Sequence, residues 1–183
     1  LGLAVIFLAR ILGALYFINN IADEELVAKC RRSIYGNTAL FLIFFLAFVI
    51  RTLLADGYAV NPDTKEVYME PYKYLTNFLE MPVVLGIFLL GVVLVLFGIL
   101  RTLLKKGFDK GIWFAGIGTI LTVLALLLTA GYNNTAYYPS FTDIQSSLTL
   151  SNSCSSQFTL KTMAYVSILV PFVIAYIFYA WRS

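Results

Sequence analysis

Apolar residues are gathered into five long runs, and polar residues are confined to the segments between them. The runs cover residues 1–18, 38–55, 82–104, 111–132 and 162–181. Each run is close to the ~20 residues that an α-helix needs to cross about 30 Å of hydrocarbon. None alternates strictly between apolar and polar residues, as the strands of a membrane β-barrel do. The pattern therefore predicts an all-α integral membrane bundle of about five transmembrane helices, forming one domain over residues 1–183.

Composition supports the membrane assignment. Hydrophobic residues make up 60% of the chain and charged residues 13%, with a mean hydropathy of +0.85. Ordinary soluble domains carry roughly 45–50% apolar and about 25% charged residues. The net charge of +3 is small and is not pooled on one segment, so we expect membrane lipid and no nucleic acid as a partner.

The side chains that usually carry chemistry are sparse. The chain has no histidine, the usual haem ligand and near-neutral acid or base. Cys30 and Cys154 are too far apart in the sequence to form a metal or redox motif. No catalytic triad, phosphate loop or dinucleotide fingerprint is present. We therefore expect no catalytic residue, no metal ligand and no cofactor-binding residue in this chain.

Basic residues alternate between the segments that join the runs. Eight lie in the segment after the first run, in the turn after the third and at the C-terminus: Lys29, Arg31, Arg32, Arg101, Lys105, Lys106, Lys110 and Arg182. Four lie on the other side: Arg51, Lys65, Lys73 and Lys161. Because cytoplasmic loops carry the excess of Lys and Arg, the first helix is predicted to run inward and the C-terminus to be cytoplasmic.

Three ionisable residues at or near membrane depth are candidates for an intramembrane polar site: Arg10, Arg51 and Glu80. Arg10 interrupts the first run. It lies either near the midplane, where it needs a polar partner, or near the inner boundary, where it can extend to the headgroups. Arg51 and Glu80 both lie near the outer boundary, where they either pair with each other or act as separate interfacial anchors.

Small residues form one stripe along the fourth run, at spacings of three and four: Gly111, Ala115, Gly118, Thr122, Ala125 and Thr129. Gly91, Gly98 and Thr102 form a shorter stripe on the third run. Small residues let membrane helices approach closely. We expect the two runs to form an antiparallel hairpin packed along these stripes.

A polar segment precedes the last run, with serine, threonine and asparagine recurring over residues 146–156. Such a composition fits either a flexible linker or a set of caps for the following helix. The first residue, Leu1, already lies inside an apolar run, and the chain ends on Trp181-Arg182-Ser183. Both ends are therefore interpreted as cuts in a longer protein.

Several short motifs, in this order, resemble one family. They are Gly13-Ala14-Leu15-Tyr16-Phe17, Asp56-Gly57-Tyr58, Asn77-Phe78 followed by Pro82, Leu128-Thr129-Ala130-Gly131, Tyr138-Pro139-Ser140, Ser147-Leu148-Thr149-Leu150, Ser155-Ser156-Gln157, Thr159-Leu160-Lys161 and Pro171. The chain is similar to the C-terminal half of subunit II, the haem-free subunit, of cytochrome bd ubiquinol oxidase.

The resemblance implies a heterodimeric quinol oxidase of the bacterial cytoplasmic (inner) membrane, in which haems b and d belong to subunit I. Subunit II would support assembly and stability of that partner during aerobic respiratory electron transport. In some members it holds a quinone or lines a proton path. The acidic residues of that path lie in the family's N-terminal half, so no catalytic residue is carried over to this chain.

Two other functions are consistent with five apolar helices. The first is half of a secondary transporter or channel, although such proteins usually show interrupted helices and polar residues near the midplane. The second is a membrane-anchoring or assembly protein that has no redox partner.

Overall fold

The computed structural model describes residues 1–105 and 107–182. Lys106, one of the basic residues counted for orientation, and Ser183 lie outside the described residues. The elements in chain order are α1 (Gly2–Asn20), α2 (Glu24–Leu54), β1 (Gly57–Val60), β2 (Val67–Glu70), α3 (Lys73–Glu80), α4 (Pro82–Leu104), α5 (Gly111–Gly131), a 3₁₀ turn (Ile144–Ser146), α6 (Leu150–Ser153) and α7 (Gln157–Arg182).

Five of the described helices are long and apolar enough to cross a membrane: α1, α2, α4, α5 and α7. The protein is 75% helical, which confirms the predicted all-α membrane fold. The chain divides into two compact units, Leu1–Thr149 and Leu150–Ser183.

The helices match the apolar runs closely in the middle of the chain and less well where polar residues extend them. Helix α4 has the predicted bounds, whereas α2 begins at Glu24 instead of residue 38. The Asp23 carboxylate accepts a hydrogen bond from the Leu26 amide (3.0 Å) and so caps this polar extension. The length of an apolar run indicates how many residues lie in the hydrocarbon. The helix itself can be longer, because it continues for as long as its backbone remains hydrogen-bonded.

The second unit shows the same effect. Helix α7 begins at Gln157, five residues before the predicted start at 162. The Ser156 hydroxyl accepts a hydrogen bond from the Thr159 amide (3.3 Å) at this end. Ser156 therefore caps the helix, as one of the two interpretations of the polar segment requires.

A small β-structure, absent from the sequence predictions, covers one end of the first unit. Strands β1 and β2 form an antiparallel hairpin, with Gly57 opposite Glu70 and Val60 opposite Val67. The Gln145 side chain bonds to both the amide and the carbonyl of Val67, each at 2.9 Å. It therefore satisfies the free edge of β2 in place of a third strand.

The core of the first unit lies where α1, α2, α4 and α5 meet. Ile11, Leu15, Ile34 and Ile99 are fully buried there. Apolar side chains outside this core are largely exposed, as a lipid-facing surface requires.

The closest packing in this unit joins α4 to α5. A Cβ added at Gly118 would lie 2.6 Å from the Gly91 carbonyl oxygen, and one added at Gly98 would lie 2.6 Å from the Gly111 carbonyl oxygen. Real Cβ atoms essentially never come this close to another heavy atom. The two backbones are therefore in direct contact along this seam, which has room only for glycine at these positions.

We predict that Gly118→Ala destabilises the protein by about 1–3 kcal/mol, since the new methyl group must displace the α4 backbone. Gly116→Ala is the matched control, because nothing lies within 4 Å of a Cβ at Gly116 on the same helix. Its stability should be unchanged or slightly increased, since alanine favours helix over glycine. The measurement is the free energy of unfolding of the full-length protein in mixed detergent micelles; equal losses for both variants would contradict the seam.

Candidate functional site

The six small residues of the predicted stripe are the buried residues of α5. Gly91, Gly98 and Thr102 are buried on α4. The threonine hydroxyls in the seam donate to carbonyls of their own helices: Thr102 to Gly98, Thr122 to Gly118 and Thr129 to Ala125, each at 2.8 Å. The one proton of each of these hydroxyls is therefore donated within its own helix, and the seam packs α4 against α5.

Arg10 lines an open cleft between α1 and α2, with a volume of about 420 Å³. The other lining residues are Gly13, Ala14, Phe17, Lys29, Cys30 and Ser33. Among the described residues, no acceptor lies within hydrogen-bond distance of the Arg10 guanidinium and no carboxylate pairs with it. The cleft is cationic and open to its surroundings.

Arg51 and Glu80 lie near the opposite end of the unit but are not paired within the described part of the chain. Arg51 lines a pocket of about 270 Å³ with Thr52, Tyr74, Phe78 and Thr129 among its neighbours. Burial raises the pKa of the Tyr74 phenol above its ordinary value, and the nearby Tyr58 phenol adds to the rise. Tyr74 therefore stays neutral at physiological pH and keeps its O–H as a donor beside Arg51.

Glu80 belongs instead to a polar network centred on Asn77. The Glu80 carboxylate accepts a hydrogen bond from the Asn133 amide group, which also donates to the Asn77 side-chain oxygen (3.1 Å). Asn77 is fully buried. Its amide donates to the Thr129 carbonyl (2.9 Å) and to the Thr135 hydroxyl (2.8 Å).

This network satisfies a helix end that would otherwise lack partners. The Thr129 carbonyl is among the last four of α5 and has no acceptor role within its own helix. Asn133 and Asn134 follow with φ of 57° and 52°, left-handed conformations that asparagine adopts more readily than most residues. The network therefore joins α3 to the end of α5 and to the loop beyond it.

Arg31 closes the other end of the α4–α5 hairpin. Its half-buried guanidinium donates to the Thr102 carbonyl in the last turn of α4, to the Phe108 carbonyl (3.3 Å) and, at a longer 3.5 Å, to the Lys105 carbonyl. A planar fork of donors suits several carbonyls at once, and a cation is favourable at a helix C-terminus. Arg31 therefore attaches α2 to the turn between α4 and α5.

In the sequence, Arg31 is one of the eight basic residues that predict orientation, and Asn77 stands out only as part of a family motif. The signal for Asn77 was the amphipathic segment Lys73–Glu80, whose buried residues are Lys73, Asn77 and Phe78. Asn77 lies four positions after Lys73, on the helix face that also carries Phe78. A polar side chain on such a face is expected to be buried and hydrogen-bonded. Arg31 had no such signal, since its carbonyl partners lie 71 or more residues away.

An apolar cavity of about 60 Å³ lies among α1, α2, α4 and α5. Its lining includes Ala4, Leu8, Phe41, Val95 and Leu126. The hydroxyls of Thr119 and Thr122, which also line it, donate to Ala115 and Gly118 of their own helix. The cavity is suited to an alkyl chain, not to a polar group.

The buried residues do not fit a haem. Those of the described chain include no cysteine, methionine or tyrosine, and the sequence has no histidine. Within the described residues, no group of three or more cysteine, aspartate or glutamate side chains is placed to hold a metal ion. The usual axial ligands of haem iron are therefore absent from the buried residues of the described part of the chain.

Comparison with known proteins agrees with the family that the motifs resemble. Residues 1–183 match the family described as cytochrome bd terminal oxidase subunit II. The chain is 37% identical over 131 residues to the cytochrome bd-I ubiquinol oxidase subunit 2 of Escherichia coli K12, which covers 70% of this chain and 33% of that relative. The corresponding proteins of Escherichia coli O6:H1 and O157:H7 match to the same extent.

The chain spans about a third of the length of these curated relatives, since the match covers 33% of each of them. The match to the family extends over all 183 residues. The chain therefore belongs to the cytochrome bd terminal oxidase subunit II family.

Proposed function

We propose that the full-length protein is the non-haem subunit of a cytochrome bd-type quinol:oxygen oxidoreductase, and that this segment supports assembly and stability of the haem-bearing subunit I. The observation that carries the proposal is the family match over residues 1–183. The lack of the usual haem ligands among the buried described residues is consistent with haems held by the partner subunit. On this proposal, haems b and d belong to subunit I, which forms a heterodimer with this protein in aerobic respiratory electron transport.

Three sets of contacts described above, called ties below, support a scaffolding role. The α4–α5 seam packs backbone against backbone, Arg31 closes one end of the hairpin, and the Asn77 network closes the other. Such ties hold helices in one arrangement, which a partner subunit can then recognise without ordering them first.

A quinone is a further part of the proposal. The apolar cavity among α1, α2, α4 and α5 suits an isoprenoid chain, whereas its threonine hydroxyls are engaged by their own helix. We therefore propose that any quinone held here binds by its tail and that its ring lies outside the cavity.

The alternative, half of a transporter or channel, has less support. Helices α4 and α5 run without interruption over 23 and 21 residues. Their buried polar side chains are threonines bonded to their own helices. Transporter sites instead use broken helices and unpaired polar groups near the midplane.

We also propose that the protein lies in the bacterial cytoplasmic (inner) membrane with the α1–α2 and α4–α5 turns inside and the β1–β2 hairpin outside. Arg31 and Arg101 support this orientation, as does Arg51 with Tyr74, which would anchor the outer boundary. On this orientation the C-terminus is cytoplasmic.

The oxidase proposal can be tested by the haem absorption spectrum of the purified complex. When the full-length protein is purified together with the product of the neighbouring gene in its operon, the reduced-minus-oxidised spectrum should show b- and d-type haem bands. The protein expressed alone should show none, since its interior lacks ligands. A co-purified complex without these bands would remove the oxidase assignment.

The proposed orientation predicts two labelling results. In a protein whose Cys30 and Cys154 are replaced by serine, a cysteine at Asp109, in the α4–α5 turn, should react with an impermeant maleimide only from the cytoplasmic side. A cysteine at Asp63, in the β1–β2 turn, should react only from outside. Labelling of both from one side, or each from the opposite side, would overturn the orientation.

The ties at the two ends of the hairpin predict a loss of stability. Arg31→Gln and Asn77→Ala should each cost about 1–3 kcal/mol, because carbonyls at helix ends, half-buried for Arg31 and buried for Asn77, lose their donors. The matched controls are Arg32→Gln, an exposed neighbour, and Thr76→Ala, which should stay within about 0.5 kcal/mol of the parent protein. The measurements are the free energy of unfolding and the haem content of the purified complex. Unchanged haem content despite lost stability would argue against a role in supporting subunit I.

A further inference from the structure

The cationic cleft between α1 and α2 is not explained by packing. It is lined by two basic residues, Arg10 and Lys29, and by no carboxylate. Gly13 and Ala14 form part of its lining without adding side-chain bulk. A groove that collects positive charge around an open volume is suited to an anion.

The length of α2 places this cleft at a membrane boundary. The helix has 31 residues, whereas about 20 are enough to cross the hydrocarbon. Counting back from its far end at Leu54, the first third of α2 extends beyond the hydrocarbon, and Lys29 and Ser33 lie in that third or at its edge. Arg10 shares their cleft, so its side chain can extend to headgroup depth, as the second of the two interpretations of this residue requires.

Three polar side chains of the cleft have hydrogen-bond donors that are available to a ligand. Arg10 carries five N–H donors, none of which has an acceptor among the described residues. The Ser33 hydroxyl oxygen accepts from the Asn37 amide (3.0 Å), which leaves its own proton available for donation. Lys29 contacts Glu25 at 2.6 Å, but both side chains are more than 70% exposed, so solvent weakens the pair and Lys29 is available to a second anion.

We propose that this cleft binds the phosphate of an anionic phospholipid headgroup. Arg10 holds two phosphate oxygens with its planar fork, Lys29 adds a second positive charge, and Ser33 donates its hydroxyl proton. Phe17, which is 47% exposed, lines the cleft about two helical turns beyond Arg10 and so borders the headgroup, not the acyl chains. The proposal does not depend on which side of the membrane is cytoplasmic or on the oxidase function.

Cys30 provides a native probe of the cleft, since it is half-buried in the lining. Full-length protein stripped of lipid would be treated with a maleimide in dodecyl maltoside micelles, and labelling of Cys30 would be followed by peptide mass spectrometry. Added phosphatidylglycerol should slow this labelling, whereas phosphatidylcholine should not. Cys154, which is exposed and does not line the cleft, is the internal control.

Variants then test the assigned residues. Arg10→Gln and Lys29→Gln should each weaken the protection by about fivefold in lipid concentration, the effect expected for one basic residue near a lipid phosphate. Arg10→Lys should keep most of the protection, because the charge remains. Arg32→Gln should keep all of it, since Arg32 is an exposed neighbour on α2 outside the cleft. If Arg10→Gln does not fold, Lys29→Gln and the comparison of the two lipids still decide the result.

Four results would overturn the proposal. Equal protection by both lipids would show apolar binding without charge recognition. Protection by inorganic phosphate at the same concentration would show a site for free anions. No protection by phosphatidylglycerol would show no lipid site. Unreactive Cys30 in the stripped protein would show that another part of the full-length chain or its partner fills the cleft.

Discussion

Direct contact between the α4 and α5 backbones is the constraint on which the rest of the first unit depends. Within lipid, helices gain little from burying apolar surface, so they associate through close packing. Glycines at positions 91, 98, 111 and 118 allow carbonyls and amides of the two helices to meet. The resulting hairpin presents Val95, Ile99 and Ala115 to a common core with Ile11 and Ile34 of α1 and α2. The α4–α5 hairpin therefore supplies one side of the core against which α1 and α2, themselves packed together, are placed.

The two ends of this hairpin face a different problem. The last carbonyls of each helix lack partners within that helix. Arg31 bonds to the end of α4, and Asn77 bonds to the end of α5. Both are side chains from other elements, so each satisfies a helix end and attaches a third segment at the same time. Removing either would affect the position of α2 or α3 as well as several hydrogen bonds.

The sequence predicts the parts of this structure that depend on residues close together in the chain. Apolar run length predicted α4 with the observed bounds, and the spacing of small residues singled out the six buried residues of α5. The polar extension of α2 was missed because run length measures hydrocarbon and ignores the Asp23 cap. The β1–β2 hairpin was missed because its strands have four residues each, too few to show a period. Arg31 and the partners of Asn77 were missed because they join positions more than 50 residues apart.

Three arginines show why the count of basic residues indicates orientation but not role. Arg31 and Arg51 lie near predicted boundaries and Arg10 interrupts the first apolar run, and each has the same charge and the same donors. Arg31 faces the unpaired carbonyls at a helix end, and its guanidinium donors are engaged by them. Arg10 and Arg51 face open volumes of about 420 and 270 Å³, with no acceptor among the described residues. What an arginine does at a membrane boundary is thus decided by whether an orphan backbone group lies within reach. Where none does, the acceptor comes from outside these helices: water, or, as we propose for Arg10, a lipid phosphate.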